Sequence, residues 1–119
     1  METTRFAERL SEGIVLLSPV FPDPFEGKET VVKVLTGLLE TINSIQVELT
    51  FAWGNDVAVF FTIECDGITV KGNEHIHLDE VCLIDRIEVA WRPLASTVLI
   101  QEKLAKKLGG QPWRLVPVP

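Results

Sequence analysis

The residues able to do chemistry gather in one stretch, Val70-Lys71-Gly72-Asn73-Glu74-His75-Ile76-His77-Leu78. Its alternation reads as a β-strand, with Lys71, Asn73, His75 and His77 on one face. Val70, Gly72, Glu74, Ile76 and Leu78 share the other, so a single carboxyl stands on an apolar surface. Burial there disfavours the charged form and raises the pKa, which leaves Glu74 able to donate a hydrogen bond as a neutral acid. The bland alternative is a structural acid paired with an arginine such as Arg114. His75 and His77 form a His-x-His pair, but metal sites use three or four ligands, and no others lie at close spacing. A place at a subunit interface or in solvent is the expected role for both, and no metal or cofactor is implied. Asp23, between Pro22 and Pro24, reads as a turn-former rather than a base.

Composition narrows the classes that such a site could serve. The chain has 119 residues, enough for one domain spanning 1–119, and is 46% hydrophobic and 24% charged. A formal charge of −6 argues against nucleic acid and against anionic membrane. No apolar run is long enough to cross a bilayer, and the first residues have no apolar segment typical of a secretory signal. Cys65 and Cys82 lie in apolar strand-like surroundings and read as two buried, reduced thiols of a cytoplasmic protein.

The elements that would position these groups follow from periodicity. Thr3 to Glu12 reads as a short helix with Phe6, Ala7 and Leu10 on its stripe, stopped by Gly13. Ile14 to Ser18 reads as a strand, and Val20 to Gly27 as a loop rich in proline. Lys28 to Asn43 has the clearest helical spacing, through Val31, Val34, Leu35, Leu38, Leu39 and Ile42. Ile45, Val47, Leu49, Phe51 and Trp53 alternate with polar residues, so they should share one buried strand face, with Trp53 and Trp91 in core or pocket wall. Val57 to Cys65 forms the next strand, with Val59, Phe61, Ile63 and Cys65 on one side. Asp66-Gly67 is the strongest hairpin signal and leads into the Glu74 strand. Leu83 to Trp91 is a last strand. Ser96 is the expected N-cap of a helix to Leu108 with a stripe of Leu99, Ile100, Leu104 and Leu108. Residues 109–119 form an extended tail with Trp113, Leu115 and Val116 as docking points. Strands in meander with helices set on one face make an α+β fold.

Several of these segments together resemble the nuclear transport factor 2-like superfamily, and within it the SnoaL-like small proteins. They are Ser18-Pro19-Val20, the Pro24-Phe25-Glu26-Gly27-Lys28-Glu29 entry to a long helix, the Glu74 strand, the Asp79 turn and Trp91-Arg92-Pro93-Leu94. The resemblance spans essentially the whole chain. It implies a conical barrel, a curved antiparallel sheet wrapped around helices, here with a shortened N-terminal helix. It further implies a pocket on the concave face and a homodimer through the convex one.

The resemblance also tests specific chemistries. Against ketosteroid isomerase, Glu74 falls where that enzyme keeps a protonated Asp, and Trp91 falls at its aromatic position. The position of the general base holds Ser18, whose hydroxyl cannot abstract a carbon acid's proton unaided, and the chain has no tyrosine. The acid positions of polyketide cyclases and epoxide hydrolases hold Ile87 and Val89. No known catalytic set is complete. The expected site is an apolar pocket lined by Ile14, Leu16, Ser18, Phe61, Ile63, Ile76, Ile87, Val89 and Trp91, lidded by Phe21 and Phe25, with Glu74 as its polar anchor. The leading expectation is binding of a small apolar molecule. The alternatives are a one-acid enzyme that uses Glu74 on a small carbonyl or epoxide compound, and a non-catalytic dimeric interaction module.

Overall fold

Period-two segments make up most of the chain, and they assemble into one six-stranded sheet. In the computed structural model, which describes residues 6–116, the elements run β1 (Leu10–Leu17), β2 (Phe25–Glu26), α1 (Lys28–Thr41), β3 (Ser44–Trp53), β4 (Asp56–Cys65), β5 (Ile68–Leu78), β6 (Ile84–Arg92) and α2 (Leu94–Leu108). The strand order is β2-β1-β6-β5-β4-β3. All neighbours are antiparallel except β1 and β6, which run parallel, so the sheet is mixed rather than antiparallel throughout. It is curved and not closed, with both helices on its concave side, an α+β architecture.

Local chemistry explains most of the boundaries. Asp66 and Gly67 both take positive φ, 49° and 83°, the geometry of a tight hairpin turn between β4 and β5. Gly27, at φ 92°, turns the chain into α1 and donates its N–H to the Ile14 carbonyl at 2.8 Å. Gly109 closes α2 in the left-handed conformation, and Lys106 and Lys107 in the last turn complement the helix dipole.

Two buried clusters fill the concave side. Leu10, Ile14, Leu16 and Ile87 pack with Val31 and Val34 of α1. Phe61, Ile63, Cys65 and Val70 pack with Ile42 and with Ile100 of α2. Val89 touches both clusters and joins them. The two helices meet where Gly37 has no side chain, since a Cβ there would lie 3.0 Å from Leu108 Cδ2.

Several expectations are corrected. The segment Thr3–Glu12 is not a helix to its end, because β1 begins at Leu10, paired with Ile84 of β6; residues 1–5 lie outside the described residues. Leu10 therefore enters the core as a strand residue, and the pairing with β6 is irregular between Leu10 and Val15. Phe25 and Glu26 form a short strand instead of loop. The last helix starts at Leu94, with Pro93 and not Ser96 as its N-cap, and Leu99 is exposed while Thr97 and Gln101 are buried. Cys82 is exposed in the Asp79–Leu83 turn; only Cys65 is buried.

The largest correction concerns β3. Its register on β4 shifts between Val47 and Leu49, a bulge that reverses side-chain parity. Ile45 and Val47 oppose Ile63 and Phe61 on the concave face, whereas Leu49 and Phe51 oppose Phe60 and Ala58 on the convex face. Every residue of β3 is exposed, and Trp53, at 89%, is no part of a core.

The tail docks through one side chain. Gln101 is fully buried; its Nε2 donates to the Gln111 carbonyl at 2.9 Å, and its Oε1 accepts from the Trp113 N–H at 2.7 Å. The side chains of Trp113, Leu115 and Val116, expected as docking points, are all exposed.

Candidate functional site

Three strands set the surroundings of Glu74. In β5 it lies opposite Val59 of β4 and Val89 of β6, so its nearest cross-strand neighbours are both aliphatic. Ile76 follows on the same face, opposite Val57 and Ile87. The carboxyl is partly buried, and burial raises its pKa above the ordinary value for a glutamate. Among the described residues its side chain makes no hydrogen bond or ion pair, and Arg114 does not reach it. An acid of this kind holds its proton more firmly than an exposed one.

A second polar group lies close by. Trp91 is opposite Gly72, two residues before Glu74, and so is the diagonal neighbour of the acid across β5 and β6. Its indole Nε1 is enclosed and has no hydrogen-bond partner among the described residues. Gly72 is the reason the ring fits. A Cβ there would collide with the Phe61 ring and lie 2.8 Å from Trp91 Cδ1, so the two rings close over bare backbone.

The expected lining divides into closed and open parts. Ile14, Leu16, Phe61, Ile63 and Ile87 are buried within the two clusters and act as floor. Ser18, Phe21, Phe25, Glu74, Ile76, Val89 and Trp91 are partly accessible. The Ser18 hydroxyl accepts a hydrogen bond from the Val20 N–H at 3.0 Å, a turn-forming role. Phe21 and Phe25 pack edge to face with centroids 5.6 Å apart. Phe25 lies against the first cluster and Phe21 against Gly110, so this loop joins the N-terminal half of the chain to the end of α2.

The surface also carries clefts that sequence reasoning missed. One of about 540 Å³ opens between the end of α1 and the start of β3, lined by Leu39, Ile42 and Ile45 with Glu40 and Asn43. Another, of about 500 Å³, lies at the far end of β5 and is lined by His77, Asp79, Val81 and Asp85. The imidazoles are not free: His75 Nε2 lies 2.7 Å from Asp56, and His77 Nδ1 lies 2.6 Å from Asp85. The hydrogen bond to Asp85 raises the His77 pKa, despite partial desolvation. A register shift between His77 and Leu78 brings Asp85 within reach, and no spacing rule reveals it.

No protein-family model matches the sequence, and no curated protein is significantly similar to it. Solved structures do resemble it. A steroid Δ-isomerase from Pseudomonas aeruginosa superposes with a TM-score of 0.85 at 22% identity, over 91% of this chain and 80% of that one. An uncharacterised protein with a cystatin-like fold from Silicibacter pomeroyi gives 0.87 at 19% identity, over 91% and 77%. A nuclear transport factor 2-like protein of unknown function from Cytophaga hutchinsonii gives 0.62 at 24% identity, over 76% of each chain. The fold is that of the nuclear transport factor 2-like proteins. In that fold the concave face of the sheet is where Glu74, Val89 and Trp91 stand.

Proposed function

We propose that the protein binds a small apolar molecule bearing a carbonyl or hydroxyl group, held on the concave face of the nuclear transport factor 2-like sheet beside Glu74. The observation that carries this reading is an acid without a partner among the described residues, set between Val59 and Val89 and driven toward its neutral form by burial. A neutral carboxyl can donate to a ligand oxygen, and apolar walls with few polar groups are the usual composition of such a site. A one-acid enzyme would use the same residue, since burial holds its proton more firmly than an exposed carboxyl does and suits it to act as a general acid.

A steroid Δ-isomerase shares the fold, so a steroid ketone is the first probe to try. Titration followed by tryptophan fluorescence should show saturable binding. Ile76→Trp, which fills the partly open wall, should remove it while the far-ultraviolet circular dichroism is unchanged. Glu74→Gln should weaken binding by no more than about tenfold, the order of one hydrogen bond. If wild type and Ile76→Trp respond identically to steroid and other apolar ketones, the concave-face reading fails. Turnover of the probe by wild type, lost in Glu74→Gln with binding kept, would favour the enzyme.

A further inference from the structure

The two edges of the sheet are built in opposite ways. On one side β2 is a two-residue strand, short enough to offer no template for pairing. On the other, β3 is a ten-residue strand whose outer backbone groups pair with nothing in the sheet. It contains no proline and no lysine, and its residues are exposed along the whole length. Its last five, Leu49-Thr50-Phe51-Ala52-Trp53, carry no charge. Leu49, Phe51 and Trp53 are 55%, 59% and 89% exposed on the convex side, where Phe51 meets the half-exposed Phe60 edge to face at 6.3 Å. An unpaired edge whose regular segment, residues 49–53, is uncharged and carries large apolar side chains is a site for strand addition.

We propose that β3 pairs antiparallel with β3 of a second copy, centred on Phe51, and so joins two sheets edge to edge. The occupant follows from self-complementarity. Centring on Phe51 sets Phe51 against itself, Leu49 against Trp53 and Thr50 against Ala52, with like faces matched. Every large apolar residue of the segment then meets another, and the small Thr50 and Ala52 meet on the concave side. Centring on Thr50 would leave Trp53 against Val47, which the bulge has placed on the opposite face. Centring on Ala52 would leave Leu49 facing the polar turn at Asn55. The bulge also ends the pairing in the other direction. Glu48, at the bulge, has its carboxylate on Lys71 Nζ at 3.0 and 3.1 Å and accepts from the Thr62 hydroxyl, so no charge lies in the paired segment.

The test is disulfide trapping of the full chain in a Cys82→Ser background, since Cys82 is exposed and Cys65 is buried. Directly opposed residues of antiparallel strands have Cα atoms about 4.5–5.5 Å apart, within disulfide reach. Phe51→Cys should oxidise to a covalent dimer. Should loss of the ring weaken pairing, an equimolar mix of Thr50→Cys and Ala52→Cys chains should give the mixed dimer in excess of either homodimer. Phe60→Cys lies one strand further in on each copy and should not cross-link. Sedimentation should show a concentration-dependent dimer, and amide exchange in residues 49–53 should slow as concentration rises. A monomer at about 100 μM overturns the proposal. A dimer that cross-links through Phe60→Cys and not through residues 50–52 overturns it in favour of packing through the convex face.

Discussion

Glu74 couples its environment to pH in a direction that can be worked out. Its pKa in the folded chain is raised, so the native state binds this proton more tightly than the unfolded state does. Stability from the neutral form is full below the unfolded value, near 4.5, and is lost as pH rises through the higher folded value. Glu74→Gln removes the desolvation of a charge and should raise the melting temperature by about 2–6 °C near pH 8. The gain should shrink to nothing in acid, and calorimetry at the two pH values checks it. His77 behaves with the same sign from a different cause. Asp85 bonds the imidazolium, with Asp56 and Asp79 adding to the field, so its contribution holds below 6.5 and fades as pH rises through the raised value. Asp85→Asn should bring the imidazole pKa down toward 6.5, as read by proton NMR titration. The position of Glu74 on the concave face was legible from period two alone, because β5 runs without irregularity from Ile68 to His77. The pairing of His77 was not, because it depends on a register shift made by the chain after Leu78.

Elements depend on a few side chains that hold them in place. Gly72 lets Phe61 and Trp91 meet, so Gly72→Ala forces both rings aside and should cost about 1–3 kcal/mol in a denaturant titration. Gln101 makes the only side-chain hydrogen bonds described between α2 and the tail, and both its amide groups are used. Gln101→Leu leaves the Gln111 carbonyl and the Trp113 N–H without partners and frees the tail. Trypsin should then cut after Arg114 several-fold faster than in wild type, with the rest of the chain intact. The alternation of residues 45–53 shows how far pattern reading reaches at this scale. It identified β3 as a strand, yet it put Ile45 and Trp53 on one face, because alternation of residue types is blind to a bulge. Gln101 was passed over for the opposite reason: a polar residue in a helical stripe looks like surface until the tail that covers it is in place.

Charge acts on the whole molecule. The order of helix, strands and turns indicated the α+β class, and the resemblance of several segments to the nuclear transport factor 2-like superfamily indicated the curved sheet, whereas the mixed pairing of β1 with β6 is non-local and left no mark in the sequence. Net charge is legible at once, and it bears on how two copies meet. Each chain carries −6, so edge pairing of β3 brings together two bodies that repel. The paired segment is itself uncharged, and the repulsion comes from groups spread over the rest of each surface, beyond the first few ångströms of contact. Such long-range repulsion is screened once the Debye length falls below the charge separation, to about 8 Å at 0.15 M ionic strength and about 3 Å at 1 M. Dimerisation through β3 should therefore tighten several-fold between about 20 mM and 300 mM sodium chloride, measured by sedimentation equilibrium. An interface held by cross-copy ion pairs, such as the Arg86, Glu88 and Arg92 surface of β6 would supply, should weaken over the same range. The sign of the salt dependence thus separates the apolar edge from the charged face without any substitution.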